Sequence, residues 1–501
     1  MEAFLSWLSG MIWNQYFIYA FLIIGLGFTI ATGFVQVTQL KDMAKLTFKR
    51  NESKSGISSF QAITLSLGSR VGTGNIAGVA TAITLGGPGA LFWMWVMAFF
   101  GAATSFIEVT LAQIYKNKQN GSYRGGAPFY IDKGLGFRKF AVTYAIVAII
   151  AKGFMMMNIQ SNTAALGFEE AFGIHRAFIG VFLVAALGLV VFGGVKRIAK
   201  TAETIIPFMV VGYLLLCAII ITVNFSLIPD VFTLVVSSAF GAEATFGGLV
   251  GSAIAWGVQR GFFSNAAGSG GETFEGAAAE VSHPAKQGLV QSFAVYMDTW
   301  IICSMTGFVI LITGMFNVEA AGVSNIPDVT AGPANVQFAI DSVFQGWGSA
   351  FLAIALLFFC FTTMLSYYYK AETSLMYLNS IKDMPWTLNV LKLGILVFAL
   401  VGSIVSAEAA WTLGDIGLGS MAYLNIIGIT LLSKVALRTL SDYKAQKKAG
   451  RDPVFDPVEL GIENADFWEK KTYEKEEEEE KVYTVPKSDG KAKYGMPKNG
   501  Y

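Results

Sequence analysis

Two long apolar segments of this chain are interrupted by glycine and polar residues, and few folds tolerate that. One reads Leu67-Gly68-Ser69-Arg70-Val71-Gly72-Thr73-Gly74-Asn75-Ile76-Ala77-Gly78. The other reads Trp256-Gly257-Val258-Gln259-Arg260-Gly261-Phe262-Phe263-Ser264-Asn265. Backbone within hydrocarbon must satisfy its own hydrogen bonds, so unwound chain survives there only when protein or a water-filled cavity surrounds it. A pair of interruptions at corresponding places in two halves of a membrane protein points to a binding site near the midplane.

The remaining composition agrees with a membrane solvent. The chain is 54% hydrophobic and 14% charged, against about 25% charged in a typical soluble domain. Its apolar runs reach roughly 20 residues, the length that crosses a bilayer core. A net charge of +1 leaves no basic surface for a nucleic acid. Cys217, Cys303 and Cys360 lie inside apolar runs, where free thiols act as small hydrophobes. Neither metal-ligand spacing nor a nucleophile–base constellation is present, so no enzyme activity, resident cofactor or obligate protein partner is expected. The first apolar run lacks a basic flank and is expected to stay in the mature protein.

The runs predict eleven spans: 16–36, 57–86 (broken), 89–115, 139–161, 177–194, 201–224, 243–278 (broken), 288–315, 347–369, 388–406 and 411–433. Lys41, Lys45, Lys49, Arg50 and Lys54 fill the first loop, Lys116 to Lys139 the third and Lys196 to Lys200 the fifth. Lys286, Lys382 and Lys444 to Lys448 continue the alternation, with Arg176 the clear exception. The positive-inside rule then puts the N-terminus outside and the C-terminus in the cytoplasm of a bacterial inner (plasma) membrane. With the first span set aside, two groups of five remain, about 57–224 and 243–433, each opened by a broken helix. The expected architecture is an all-α polytopic LeuT-like 5+5 inverted repeat with one extra N-terminal helix. It occupies residues 1–440. Residues 441–501, with the acidic block Glu476 to Glu480, read as a disordered cytoplasmic tail.

The interruptions suggest a chemistry. Half-helix ends expose N–H groups on one side and carbonyls on the other, attracting anions and cations respectively. A zwitterionic amino acid beside a small cation fits. Gly72 and Gly74 let a ligand approach the backbone, and Thr73 and Asn75 add short polar groups. The competing reading is a packing face of Gly74 and Gly78 with no ligand. Asp298 lies about 15 Å into its span at ~1.5 Å per residue; with Thr299 it could bind sodium or make an interhelical hydrogen bond. Thr362 and Thr363 could serve an ion or bond back to their own helix. Gln160, Ser161 and Asn162 could line a pocket or mark a loop edge. Lys152 lies mid-span, too deep to snorkel, where a buried partner or a coupling role is expected, and Glu108 reads as the partner of a loop cation.

These segments resemble the alanine/glycine:cation symporter family over about residues 16–440. The similarity is most specific from Arg70 to Trp95, and continues through Ser105 to Ala112, Arg260 to Asn265, His283-Pro284 and Asp298-Thr299. The resemblance implies uptake of a small neutral amino acid, alanine or glycine, driven by sodium as coupling ion. It implies that Thr73, Gly74 and Asn75 hold the amino acid together with Gly257, Gly261, Phe262, Ser264 and Asn265 of the second interruption. It places sodium at carbonyls of Gly68 and Val71 with Thr362 or Thr363. Two departures stand out. Ala266 replaces a frequent Glu, and Ser366-Tyr367-Tyr368-Tyr369-Lys370-Ala371-Glu372 replaces Gly-Trp-Ser-Tyr-Tyr-Gly-Glu, putting Tyr367 at the Trp position of the pocket. The alternative on the same fold is a proton-coupled carrier or exchanger of another small amino acid.

Overall fold

Long helices account for most of a computed structural model that describes residues 2–48, 57–119, 121–243, 245–327 and 332–469. Eight described helices are long and apolar enough to cross a membrane unaided: Ala3–Ala31, Gly89–Ile114, Arg138–Phe172, Lys200–Val223, Pro284–Thr313, Gly348–Ile381, Thr387–Ile404 and Ala407–Lys448. Arg176–Val191 is shorter, and each interrupted segment is built from two pieces. The protein is thus inside-out relative to a soluble one. Phe178, Phe208, Leu215 and Trp386 stand exposed on its flanks, while Asp298, Glu272, Lys152 and Lys370 are buried. Lys200–Val223, with hydropathy 2.6, is mostly uncovered, as a lipid-facing helix should be.

Local chemistry sets where the broken elements start. Ser58 caps Ser59–Arg70 by accepting from Gln61 N, and Gln61 Oε1 accepts from Ser58 N in return. His283 caps Pro284–Val295, with Pro284 in the first turn, where its missing N–H costs nothing. Three helices carry π-helical turns: Gly74–Gly78, Ala151–Met155 and Tyr296–Cys303. Such turns recur at functional sites because they widen the helix and release a carbonyl. Here they hold Asn75, Lys152 and Asp298.

Two features lie outside the expected span pattern. Ile228–Ala239 and Pro333–Asp341 are short helices in connections, and two-stranded ribbons pair Asn117–Gln119 with Ser122–Arg124 and Asn317–Val318 with Val323–Ser324. The expected boundary at residue 440 is also absent. The last helix runs to Lys448, and the chain beyond it packs back on the end of the molecule that carries the basic loops. Ser282 O accepts from Phe455 N at 3.0 Å, Lys286 pairs with Asp452 at 2.7 Å, and Trp468 Nε1 donates to Gln113 O at 2.9 Å. Apolar residues at Phe455, Ile462 and Trp468 explain the docking, since each is buried. The acidic block Glu476 to Glu480, like Lys49, Arg50 and Lys54, lies outside the described residues.

Candidate functional site: two interrupted helices around a buried polar core

The first interruption is short. Only Val71 and Gly72 leave the helix between Ser59–Arg70 and the π-helical turn at Gly74. Thr363, on Gly348–Ile381, reaches into it. Its Oγ1 lies 2.8 Å from Gly68 O and 3.5 Å from Val71 O, with its own helix's Phe359 O at 2.9 Å. One hydroxyl proton cannot serve three carbonyls at once, so this is a cluster of oxygens suited to a small hard cation. Thr362 does not join it, because its hydroxyl bonds back to Phe358 O and Phe359 O.

On the other side of the same interruption Thr73 Oγ1 donates to Gln160 Oε1 at 2.9 Å, which brings Gln160 into the site and away from a loop edge. A Cβ on Gly72 would stand 2.5 Å from Thr363 Oγ1 and 3.1 Å from Gln160 Oε1, so only glycine fits between them. Gly74 is equally confined, 2.9 Å from Ser264 Cα by the same construction. The polar residues then converge on Asp298. Its Oδ1 accepts from Asn75 Nδ2 at 2.7 Å, and its Oδ2 from Ser264 Oγ at 2.7 Å and Thr299 Oγ1 at 2.9 Å. Asn265 Nδ2 donates to Thr299 Oγ1 at 3.3 Å. A buried carboxylate held by three neutral donors is a coherent polar node linking both interrupted helices with Pro284–Thr313.

The second interruption is displaced from its expected position. Val250–Asn265 is continuous helix, and the chain unwinds afterwards, over Ala266 to Glu272, before Thr273–Ala278. The glycines that suggested a break there serve packing instead. A Cβ on Gly257 would lie 2.5 Å from Ala90 O, and one on Gly261 3.2 Å from Met94 Cα, so the four-residue spacing is a seam against Gly89–Ile114. Phe262 turns away too, with its ring against Trp13 and Phe21. Gly257, Gly261 and Phe262 therefore stand apart from the polar node, whereas Ser264 and Asn265 belong to it.

The unwound stretch is stabilised by a residue the sequence reading assigned elsewhere. Glu108 accepts from Gly268 N at 3.1 Å, Gly270 N at 3.0 Å and Asn425 Nδ2 at 2.9 Å, and pairs with no loop cation among the described residues. Gly270, at φ +76°, leaves no room for a side chain, since a Cβ would stand 2.2 Å from Tyr144 Oη. Missed in the sequence as well was the charge at the far end of this stretch. Glu272 meets Lys370 Nζ at 2.9 Å and Arg70 Nε at 3.8 Å, with Ser66 and Ser69 hydroxyls donating to it. Lys370 also lies 3.4 Å from Glu275, which accepts from Ser366 Oγ at 2.6 Å. The signal was present as two carboxylates three residues apart after a glycine run, but it required knowing which side they face. Tyr367 is buried beside this cluster, its ring 4.6 Å from Lys152 Nζ.

One turn before Ser264, Arg260 forms a two-pronged pair with Asp415 of Ala407–Lys448 at 3.1 and 2.6 Å, and lies 4.4 Å over the Trp411 ring. Trp256, Arg260, Trp411 and Asp415 help line an open cavity of about 510 Å³. The arrangement sets an oxygen cluster at Thr363 and a polar node at Asp298 beside the two interruptions, with the Arg260–Asp415 ion pair one turn away.

Comparison with known proteins agrees with this geometry. The chain is 54% identical over 481 residues to the putative sodium/proton-dependent alanine carrier protein YrbD of Bacillus subtilis, covering 95% of this chain and 99% of that one. It is 42% identical to the probable sodium/glutamine symporter GlnT of the same organism, covering 89% and 91%. The crystal structure of MhsT in complex with L-phenylalanine superposes with a TM-score of 0.53 over 78% of this chain and 99% of that one, at 15% identity, which establishes the LeuT-type fold. Residues 1–457 match the Sodium:alanine symporter family. A polytopic helical chain with two interrupted helices meeting at a buried polar node, and with these relatives, belongs to the sodium:alanine symporter family.

Proposed function

We propose that the chain imports alanine, or a similarly small neutral amino acid such as glycine, together with sodium. The observation that carries this reading is the convergence of Thr363 Oγ1 with the carbonyls of Gly68 and Val71, next to Thr73, Gly74, Asn75, Ser264 and Asp298. Sodium takes the oxygen cluster at Thr363. The amino acid lies along the first interruption, its charged ends facing the half-helix termini of opposite polarity. Alanine follows from the relative named for alanine and from the tightly packed Gly72 and Gly74.

The transport cycle is alternating access in a bacterial inner membrane, with two inverted repeats near 57–224 and 243–433 rocking against each other. The basic loops face the cytoplasm, so the C-terminal strap docks there, the N-terminus lies outside, and the 510 Å³ cavity with the Arg260–Asp415 pair opens outward. Sodium and substrate together favour the closed arrangement of both interruptions, and only that differential binding can drive the change. Labelled alanine uptake into proteoliposomes tests the reading. An inward sodium gradient should raise uptake at least tenfold over equal sodium on both sides. Equal uptake in the two conditions overturns sodium coupling, and no uptake of any small amino acid overturns the substrate class.

A further inference from the structure

Three cations and two carboxylates meet behind the second interruption, and one cation lacks a counter-ion. Lys370 contacts both Glu272 and Glu275, and Arg70 reaches Glu272 and donates to Asn265 O at 2.9 Å. Lys152 is as deeply buried yet makes no ion pair or hydrogen bond among the described residues. Its Nζ lies 4.6 Å from the Tyr367 ring, and a Cβ on Gly271 would stand 3.6 Å from it. The charged groups that face it are Lys370 from Gly348–Ile381 and Glu272 and Glu275 from the second interruption. The two other helices packed on this turn meet it through Gly417 against Ala151 and Leu391 and Ile395 against Gly153, while their nearby charges are engaged elsewhere, Asp415 with Arg260 and Lys392 over the Phe192 ring. Glu108 and Asp298 answer to other partners, backbone and Asn425 amides in one case and hydroxyls with Asn75 in the other. Meanwhile Glu275 Oε2 is buried without a hydrogen-bond partner.

An isolated ammonium in a low-dielectric interior is costly, and so is a half-satisfied carboxylate. Both costs change when one proton is added or removed. The lysine also sits in a π-helical turn, Ala151–Met155, against Gly271 of the second interruption. We propose that Lys152 is the carrier of a co-transported proton, at a site separate from the oxygen cluster at Thr363. This rests on the symporter reading above. The amine takes one proton from the side where sodium and amino acid enter, and the ammonium releases that proton on the other side. Only an N–H bond forms and breaks. The proton alters the attraction between Lys152 and the Glu272–Glu275 segment, which ties protonation to the position of the second interruption.

The test follows internal pH with an entrapped dye in voltage-clamped proteoliposomes containing the full chain, during sodium-driven alanine entry. The wild type should acidify the lumen by about one proton per alanine. Lys152→Met and Lys152→Arg should each lower that ratio at least tenfold; the arginine keeps bulk and charge but cannot cycle its proton. The proposal fails if the wild type takes up alanine without moving protons, or if either variant keeps the wild-type ratio. Folding of each variant is read from its unfolding temperature in detergent, and Lys152→Gln, polar but without a titratable proton, replaces any variant that does not fold and should lower the ratio in the same way. Absence of sodium-driven alanine uptake in the wild type is a different result, which overturns the symporter reading itself.

Discussion

The two interruptions solve the same problem in opposite ways. The first unwinds only Val71 and Gly72, and neutral side chains close around it: Thr363 at its carbonyls, Gln160 at Thr73, and Asn75 Oδ1 accepting from Gly72 N at 3.0 Å. The second unwinds seven residues from Ala266 to Glu272, and charge manages it, with Glu108 on its amides and Lys370 on its terminal carboxylate. A short gap lined by neutral groups leaves partial charges for a ligand to answer. A long gap needs internal ions, because many backbone groups lose their helical partners together. The first interruption is thus held by neutral polar groups and the second by charge.

The sharpest way to break that contrast is to remove an ion from the second interruption. Lys370→Met should destabilise the protein by about 3–5 kcal/mol, the usual cost of stranding a buried charge, read as a fall in thermal unfolding temperature in detergent. Adding Glu272→Gln should recover part of the loss, and no recovery would mean that the pair is not the cause. Next comes steric closure at the first interruption. Gly74→Ala pushes a methyl against Ser264 Cα, and overpacking of this kind costs about 1–3 kcal/mol; alanine uptake should fall tenfold or more while the protein still folds.

A finer test separates the adjacent threonines. Thr363→Ala removes the hydroxyl from the Gly68 and Val71 carbonyls and should raise the sodium concentration for half-maximal uptake about tenfold, equivalent to ~1.4 kcal/mol. Thr362→Ala should change it less than about twofold, because that hydroxyl serves its own helix. Equal effects would move the cation site elsewhere.

The smallest effect lies away from both interruptions, where the C-terminal strap docks. His283 Nδ1 accepts from Ala285 N at 3.2 Å, so its proton sits on Nε2, 3.0 Å from Asp442. Burial, outweighing the nearby Asp442, lowers the imidazole pKa below its ordinary value. The neutral ring therefore contributes stability above the unfolded pKa near 6.5, and that contribution is lost as pH falls toward the folded value. His283→Gln should flatten the acid-side decline in unfolding temperature below about pH 6.5. An unchanged decline would assign it to other groups.

Much of the site could be read from residue types and spacing. Thr73, Asn75, Asp298 and Thr299 stood out as short polar groups inside apolar runs, where polarity needs a reason. The structure brings Asn75, Asp298 and Thr299 into one node and ties Thr73 to Gln160. Gly257 and Gly261 illustrate the limit. Glycine marks both unwound backbone and close helix contact, and a linear pattern cannot tell which neighbour comes near. Glu272 and Glu275 escaped notice for a related reason, and Lys370, visible as a departure from the family pattern, could not be given a partner. Their partners are about 100 residues away in sequence, and a carboxylate after a glycine run reads as a loop end until the lysine facing it is known. Lys152 was visible as an anomaly, but its place beside Tyr367 and the second interruption was not.

What the sequence determined alone is what the membrane imposes: apolar lengths, interrupted helices, the alternating basic loops and the polar residues too costly to bury without purpose. Those follow from solvent and chain geometry, which act residue by residue. The tertiary structure decided where the second helix unwinds, which threonine reaches the carbonyls, which glycines pack and which carboxylates meet lysines. Each of those depends on two segments distant in sequence sharing a few ångströms, and a pairwise distance is not a property of either segment.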